Sequence, residues 1–548
     1  MRPERVPVRP FAGLAVLLGL KTSGQDALDA FTGRSGPSGV TGITHDSRQV
    51  RPGDLYVALP GSQVHGARFC AAAAAAGAAA VLTDPAGRDE AVRAGLPAFV
   101  VADPRSRMGE VAAWIYGYPS ERLLLLGVTG TSGKTTTSYL LESGLRAAGY
   151  QAGLIGGVQT KIGSEILPSQ LTTPEATDLQ ALFALMAQRR VLAAAMEVSS
   201  HALALGRVDG ARYDVAIFTN LSQDHLDFHA SMDDYYAAKA LLFTARYAAA
   251  GVINIDDERG RQLAGEAEIP VTTFSAVGRP EADWRAADVR PGADGSTFRV
   301  IGPGGVAADA SAALPGRFNV ANALAAIVGL VEAGIGLSTA VAGVAACPGV
   351  PGRLERVEAG QDFTVLVDYS HKPGAVEAVL AALRQVTAGS LTIVLGCGGD
   401  RDRAKRPLMG RAAARLADYA IFTSDNPRTE DPLAILAQML AGAAEAPAAE
   451  RAQVAVLPDR ADAIEAAIAA AGKGDVVLIA GKGHETGQYI GTAVIPFDDH
   501  EVAAQALSRR RGGEEATLSP GGVMPVRRDG PPPDPDRARP TAADPEDA

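Results

Sequence analysis

Residues 123–137 read LLLLGVTGTSGKTTT, and the fold turns on how this stretch is read. The apolar run from Leu123 has the length of a buried strand. It ends in a turn, Gly130-Thr131-Ser132-Gly133, followed by Lys134, Thr135, Thr136 and Thr137. The next residues predict a helix with Leu140, Leu141 and Leu145 on one side, ending near Gly149. Strand, glycine turn and helix in this order aim successive backbone N–H groups and a helix N-terminus at a phosphate chain. Lys134 would then reach the terminal phosphates, and the Thr135 hydroxyl would sit on a magnesium ion. The usual spacing asks for glycine at 128, where this chain has Val128, but Gly127 and Gly130 flank that slot. The expected ligand is a nucleoside triphosphate.

The bulk of the chain sets limits on what surrounds this loop. At 548 residues it exceeds what one core holds, so about three domains are expected. The apolar fraction of 47% with 21% charged residues is that of an ordinary globular protein. A net charge of −11 argues against nucleic acid or an anionic membrane as the main partner. The three cysteines, Cys70, Cys347 and Cys397, lie far apart and predict reduced thiols in a cytoplasm. A basic MRPERVPVR precedes the apolar run 11–20, with no cleavage site before Lys21. That run is too short to span a membrane and predicts a packed helix.

Composition divides the chain further. Residues 1–120 read as a small α/β domain, with strand-like LYVALPG, AAAVLTD and AFVVADP around an alanine-rich helix. Residues 121–350 form the central domain and end in CPGVPG, a hinge-like linker. Residues 351–508 read as a third α/β domain, and 509–548, rich in Pro, Gly and charge, as a disordered tail. Nearly every polar cluster directly follows an apolar run of strand length: AAAMEVSSH and DVAIFTNLSQDH in the centre, VLVDYSHKPG, TIVLGCGGDRD, YAIFTSDNPR and VVLIAGKGHE in the third domain. Open α/β sheets bind ligands outside the carboxyl ends of their strands. Two facing sites are therefore expected, and a structural protein would need neither.

Within the central domain, Glu197 is placed as a strand-end carboxylate able to join Thr135 on magnesium. Asp224 and His225 follow a strand in a loop beside the phosphate site. Lys239, in DDYYAAKALLF, shares a helix face with Tyr235, Tyr236, Leu242 and Phe243. Taken by itself, that pattern describes a snorkelling lysine as well as a functional one.

The segments TGTSGKTTT, MEVSSHAL, TNLSQDHLDFH, YYAAKALLF, LPGRFNVANALAA, PGRLERV, DYSHKPG, GCGGDRDRAKRP, SDNPR and AGKGHE, in this order, resemble the ATP-dependent Mur ligases over roughly residues 40–500. The resemblance implies three domains: a P-loop-type parallel sheet for mononucleotide in the centre, a small N-terminal α/β domain, and a Rossmann-like C-terminal α/β domain. It implies a cytoplasmic, monomeric enzyme of peptidoglycan precursor synthesis that uses ATP and two magnesium ions and handles small molecules only. The family lysine matching Lys239 is carbamylated and holds the second ion together with the histidine matching His225. Asn319 and Arg353 would contact the nucleotide, with Asp368 and His371 closing over it as the third domain swings in. An acyl phosphate on a D-glutamyl carboxylate would form first, and an amine would then displace the phosphate. Lys134, Glu197, His225 and Lys239 are thus the expected catalytic set.

The same resemblance assigns the remaining substrates. Residues matching Ser47 and the loop from Ser62 to Gly66 hold the uridine diphosphate, and those matching Thr172, Thr173, Ser199 and Arg207 hold the muramoyl dipeptide. Leu171 and Leu205 stand where some members carry polar groups, and Ser370 and Gly374 also depart from the common pattern. Asp425-Asn426-Pro427-Arg428 matches the tetrapeptide of members that add meso-diaminopimelate. Arg428 offers a planar fork for a carboxylate, and Asn426 can bond the same end. Arg401 would take another carboxylate, while Glu485 with the Gly481 carbonyl would take the distal ammonium. An L-lysine-adding ligase and a folylpolyglutamate-type ligase are the nearest alternatives; the DNPR segment opposes the first and the N-terminal domain the second. A nucleotide-switched binding protein would have no use for DNPR or GKGHE, and a scaffold would not need to keep Lys134, Glu197, His225 and Lys239.

Overall fold

The computed structural model describes residues 2–20, 38–61, 63–169, 171–292, 294–449 and 451–512. The chain divides into two units: one holds residues up to 287 with 299–310 and 321–347, the other 288–298, 311–320 and everything described from 348 onward.

The first unit opens with helix α1 (Phe11–Leu17), as the apolar run predicts, with Leu14 and Ala15 buried. Strands β1 (Gly42–Thr44), β2 (Asp54–Ala58), β3 (Ala80–Thr83) and β4 (Ala98–Val100) form a parallel sheet in simple order. Helix α2 (Pro104–Tyr116) is capped by the Asp103 carboxylate and stopped by Gly117 at φ 76°. That angle favours glycine because it has no Cβ to collide.

The larger sheet of this unit is built on β5 (Leu124–Thr129), which leads into helix α3 (Lys134–Ala147). Its other strands up to residue 275 are β6 (Ala152–Ile155), β7 (Gln159–Ile162), β8 (Glu165–Pro168), β9 (Ala193–Glu197), β10 (Tyr213–Phe218), β11 (Ala248–Asn254) and β12 (Val271–Ser275). Their order is β8-β7-β6-β9-β5-β10-β11-β12. All pairings from β6 to β12 are parallel, and the β6-β7-β8 edge is antiparallel. The chain leaves β5 for β6, two places away, and returns through β9 into the gap. This puts the ends of β9, β5 and β10 side by side, at a switch point where α/β sheets bind ligands. β9 is buried on both faces, and its run of alanines lets neighbouring helices lie close. Helix α3 lies equally close to the helix Leu337–Ala345: a Cβ on Gly343 would come 2.6 Å from the Gly144 Cα.

In the second unit, strands β13 (Thr364–Asp368), β14 (Leu391–Leu395), β15 (Tyr419–Phe422), β16 (Gln453–Val456) and β17 (Val476–Ala480) are parallel in the order β13-β17-β14-β15-β16. Here again one strand, β17, fills a gap left by an earlier crossover. The loops after β13, β14, β15 and β17 therefore emerge together. A hairpin of β18 (Gly487–Ile490) and β19 (Ala493–Pro496) follows. The last helix, Asp499–Gly512, runs past the boundary expected at 508. Arg510 packs over the Phe363 ring at 4.7 Å and donates to the Ala471 carbonyl at 2.6 Å, so this turn belongs to the folded unit. Of the tail expected at 509–548, residues beyond 512 lie outside the described ones. No described helix is long and apolar enough to cross a membrane.

Arg460 and Asp499 form a two-point ion pair with both side chains wholly buried, at 2.7 Å for each hydrogen bond. Removing one partner of such a pair strands the other charge and costs about 3–5 kcal/mol. Asp499→Ala is expected to lower stability by that order, measured as a fall in the urea midpoint of unfolding.

Candidate active site

The glycine turn after β5 is held from the side by the loop after β10. The Thr131 and Ser132 N–H groups donate to the Asn220 carbonyl at 2.9 Å and to Asn220 Oδ1 at 3.0 Å. Thr219 Oγ1 and Asn220 Nδ2 both donate to the Ser132 carbonyl, at 2.6 and 3.1 Å. Val128 is wholly buried in the strand, and the close approach falls to Gly130 (φ 149°), where a Cβ would lie 1.9 Å from Thr219 Oγ1. That explains a valine at the place where the usual pattern has glycine. Gly133 (φ 88°) then starts α3, whose first N–H groups have no partner within the helix. Thr135 and Thr136 are buried in its first turn.

Register brings Glu197 to this turn, since β9 pairs Glu197 with Val128 of β5. Its carboxylate is 3% exposed as a residue, accepts from Thr135 Oγ1 at 3.1 Å and from the Gly157 N–H at 3.0 Å. Lys134 Nζ donates to the Gly130 and Thr131 carbonyls at 2.8 and 3.1 Å. Lys239, near the end of helix α4 (Met232–Ala240), is 1% exposed and also donates to the Gly130 carbonyl, at 2.8 Å. The two lysine nitrogens are thus separated by at most twice that distance. Lys239 Nζ also lies 4.6 Å from the centre of the Tyr235 ring. The snorkelling alternative fails, because the amine is in the interior at the phosphate turn.

His225 sits in the loop after β10 with a left-handed backbone, φ 53°. Asp224 holds it at both ends, accepting from its N–H at 2.9 Å and lying 3.1 Å from its Nε2. Its ring packs edge-on against His201 at 4.8 Å and lies 6.0 Å from the same Tyr235 ring that Lys239 touches. Burial lowers the His201 pKa, so that neighbour is neutral near pH 7.

Of the residues assigned to the nucleotide sugar, Thr173 and Ser199 come together beneath Glu197. Thr173 Oγ1 donates to the Glu197 backbone carbonyl at 2.9 Å and accepts from the Ser199 N–H at 3.1 Å. Thr172 is near Gly157, where a Cβ would meet its hydroxyl at 3.0 Å. Arg207 is paired with Glu175 at 2.8 Å, and the same carboxylate takes Arg105 of α2 at 3.2 Å. Ser47 lies in the short turn Ser47–Gln49, and the preceding His45 bonds Thr177 at 3.2 Å. Ser62 is outside the described residues.

The second unit gathers the other set. Asn319 falls here rather than with the central sheet, its amide donating to the Pro315 carbonyl at 2.8 Å. Arg353 stacks its guanidinium 4.5 Å from the Tyr369 ring centre. Asp368, at the end of β13, accepts from the Leu354 and Ser370 N–H groups at 2.8 Å each, and from the Ser370 hydroxyl. The departure at Ser370 thus adds a bond. His371 donates Nδ1–H to the Tyr369 carbonyl at 2.7 Å.

The loop after β15 carries Asp425-Asn426-Pro427-Arg428. Arg428 takes a left-handed backbone, φ 50°, and its N–H donates to the Tyr489 carbonyl at 2.9 Å. One arm of its fork donates to the Gly399 carbonyl at 2.7 Å. Gly399 must be glycine here, since a Cβ would meet the Pro427 carbonyl oxygen at 1.9 Å. Arg401 is exposed on the loop after β14 that also carries Gly399. Gly481 (φ 115°) leaves room for the Asp425 carboxylate, and Asn426 donates to Glu485 Oε2 at 2.8 Å.

Several residues that position this site escaped the sequence reading. Thr219 and Asn220 shape the phosphate turn, yet loop Thr and Asn are ordinarily turn formers. Lys482 and Arg406 are wholly buried beneath the loops of the second unit. Lys482 lies inside the AGKGHE segment, which was the available signal.

Comparison with known proteins bears on this arrangement. Three family profiles match in succession: Mur ligase family, catalytic domain, over residues 39–116; Mur ligase middle domain over 128–330; and Mur ligase, glutamate ligase domain, over 352–483. A UDP-N-acetylmuramoyl-L-alanyl-D-glutamate–2,6-diaminopimelate ligase of Streptomyces coelicolor is 59% identical over 511 residues, covering 93% of this chain and 99% of its own. The ligase of the same name from Corynebacterium glutamicum is 47% identical, covering 83% and 89%. A solved structure bearing that name superimposes with a TM-score of 0.66 at 32% identity, covering 92% of this chain and all of that one.

Two histidines give the second unit a pH signature. Burial, aided by Lys372, holds the His371 pKa down to about 3, and burial beside Arg353 holds His484 down to about 4. Among the described residues His484 Nδ1 has no hydrogen-bond partner, as suits a neutral ring. Both folded values lie below the ordinary 6.5, so the unfolded chain binds protons first as pH falls. The stability they contribute is complete above about pH 6.5 and is lost as pH falls toward the folded values. His484→Gln is expected to flatten that loss, read as a smaller shift of the urea midpoint between pH 7 and pH 5 than in the wild type.

Proposed function

The chain belongs to the Mur ligase family, and we propose that it joins meso-diaminopimelate to UDP-N-acetylmuramoyl-L-alanyl-D-glutamate at the expense of ATP, in the synthesis of peptidoglycan precursor. The observation that carries the chemistry is the phosphate turn itself. A buried carboxylate and two lysines converge on it, with Glu197 on Thr135 and both Lys134 and Lys239 on the Gly130 carbonyl.

The helix N-terminus and Lys134 bind the phosphates of ATP and spread the charge that gathers as the γ-phosphoryl group moves. A carboxylate oxygen of the D-glutamyl residue attacks that phosphorus, ADP leaves, and an acyl phosphate remains. The amine of the incoming amino acid then attacks the acyl carbon. Phosphate leaves with the bonding pair, and the nitrogen gives up a proton to complete the amide. Little covalent chemistry falls to the protein, which positions and stabilises charge.

Thr135 Oγ1 and Glu197, hard oxygen donors already 3.1 Å apart, fit a magnesium ion. When bound, magnesium offsets the charge of the phosphates. Lys239 as its carbamate, with His225, would hold a second ion. The neutral amine is the form that captures carbon dioxide, and the Lys239 amine is buried at the Gly130 carbonyl. Ser47, Thr172, Thr173, Ser199 and Arg207 would take the nucleotide sugar, and Asn319, Arg353, Asp368 and His371 the nucleotide. Arg401, Arg428, Asn426, Asp425, Gly481 and Glu485 would take the amino acid. Diaminopimelate is favoured over L-lysine because L-lysine lacks the second carboxylate and would leave a charged donor unpaired, a loss worth up to ~10⁴ in discrimination.

Phosphate release from ATP with UDP-N-acetylmuramoyl-L-alanyl-D-glutamate is expected with meso-diaminopimelate and not with L-lysine. Release with L-lysine would overturn the substrate assignment. Lys239→Ala is expected to lose turnover by about 10²-fold or more, and to regain part of it with an added short carboxylate such as formate. Turnover that ignores added carboxylate would overturn the carbamate.

A further inference from the structure

Beneath the amino-acid loops lies a charged side chain that the reading above leaves without a role. Lys482 is wholly buried. Its ammonium spends its donors on the distant Asn426 Oδ1 at 3.1 Å and, within its own stretch, on Glu485 Oε2 at 3.3 Å and the Gly487 carbonyl at 2.6 Å. An ammonium only donates, so it can face only the oxygen of the Asn426 amide. The Tyr489 N–H, also a donor, reaches that oxygen at 3.0 Å. Two donors fill its lone pairs and leave the amide one orientation. Asn426 Nδ2 then donates one hydrogen to Glu485 Oε2 at 2.8 Å and keeps the other.

We infer that Lys482 is a positioning residue that sets the polarity of the amino-acid site, making Asn426 a donor only and fixing Glu485 as an acceptor. The inference rests on the reading of these loops as that site. Asn426 can then address a substrate carboxylate and cannot address an ammonium, while Glu485 addresses the ammonium. With the amide free to turn over, the same asparagine would accept either end of a zwitterion. Lys482 reaches the substrate only through these two side chains and ties both to β18 through Gly487.

Steady-state kinetics of the full chain test this with Lys482→Met, Glu485→Gln, their combination, and Asn426→Asp. Each KM is measured for the amino acid that the wild type adds, for ATP and for the nucleotide sugar. Lys482→Met is expected to raise KM for the amino acid by ~10- to 100-fold, with the other two KM values within about twofold. The double variant is expected to be no worse than about the worse single one, because residues acting as one unit are not additive. Asn426→Asp keeps an oxygen for Lys482 and removes the donor, so it should raise the same KM by ~10-fold or more. An unchanged amino-acid KM in Lys482→Met, an equal rise in all three KM values, or effects that multiply in the double variant would each overturn the inference. So would Asn426→Asp with wild-type KM, which decides the matter alone if Lys482→Met does not fold. A wild type that adds a different amino acid overturns the substrate reading, and the Lys482 comparison is then made with that amino acid.

Discussion

One backbone carbonyl organises the first unit's site. Gly130 ends the ladder of β5, and its oxygen takes hydrogen bonds from Lys134 on one side and Lys239 on the other. Buried carbonyls need donors, and a turn that leaves a sheet has lost the neighbouring strand that would supply one. Here two lysines supply it, from the start of α3 and the end of α4. The need to satisfy a strand-end oxygen thus gathers charge where phosphates would bind. The geometry requires glycine at 130, because Thr219 of the adjacent strand end occupies the space a side chain would use. Strand order, loop shape and charge placement are one constraint seen at three scales.

The same constraint recurs in the second unit with a different outcome. Buried cations bond carbonyls in and just after the strands β14, β15 and β17 and at the start of β18. Arg406 donates to the Gly398 carbonyl, Arg460 to those of Ser424 and Ala480, and Lys482 to that of Gly487. Each of these buried cations also holds one carboxylate: Glu430, Asp499 and Glu485 in turn. Arg406 keeps the Glu430 carboxyl well below its ordinary range, at about 2, so that pair stays charged across the physiological range. A buried pair gains little net stability over apolar packing, and its use lies in fixing one arrangement. The loops that would read an amino acid are therefore set from below by paired charges.

How much of this was legible in the sequence follows from how local each feature is. The phosphate turn and α3 were readable because one short stretch contains strand, glycines and helix. Glu197 was readable because an apolar run led straight to it. Lys239 was ambiguous, since a helix face with two tyrosines and a leucine suits a snorkelling lysine equally well. Only the tertiary position of α4 puts its amine in the interior. Thr219 and Asn220 escaped because their role is to bond a turn some ninety residues earlier, which no spacing rule registers. Arg406, Arg460 and Lys482 escaped for a further reason: charged residues are read as surface, and even the AGKGHE segment around Lys482 marks a loop of interest without marking that side chain as buried.

The two units use buried cations in opposite ways, and the difference bears on what each can bind. Lys134 and Lys239 meet at a neutral acceptor, the Gly130 carbonyl, with the Glu197 carboxylate held by Thr135 at the same turn. Arg406, Arg460 and Lys482 are instead each matched by a carboxylate. On the reading proposed above, selectivity in the second unit would depend on which atoms of Asn426, Arg428 and Glu485 face outward, a matter of orientation and not of field strength. Recognition of a zwitterion with several like groups is sensitive to that orientation, because a turned amide reverses its preference.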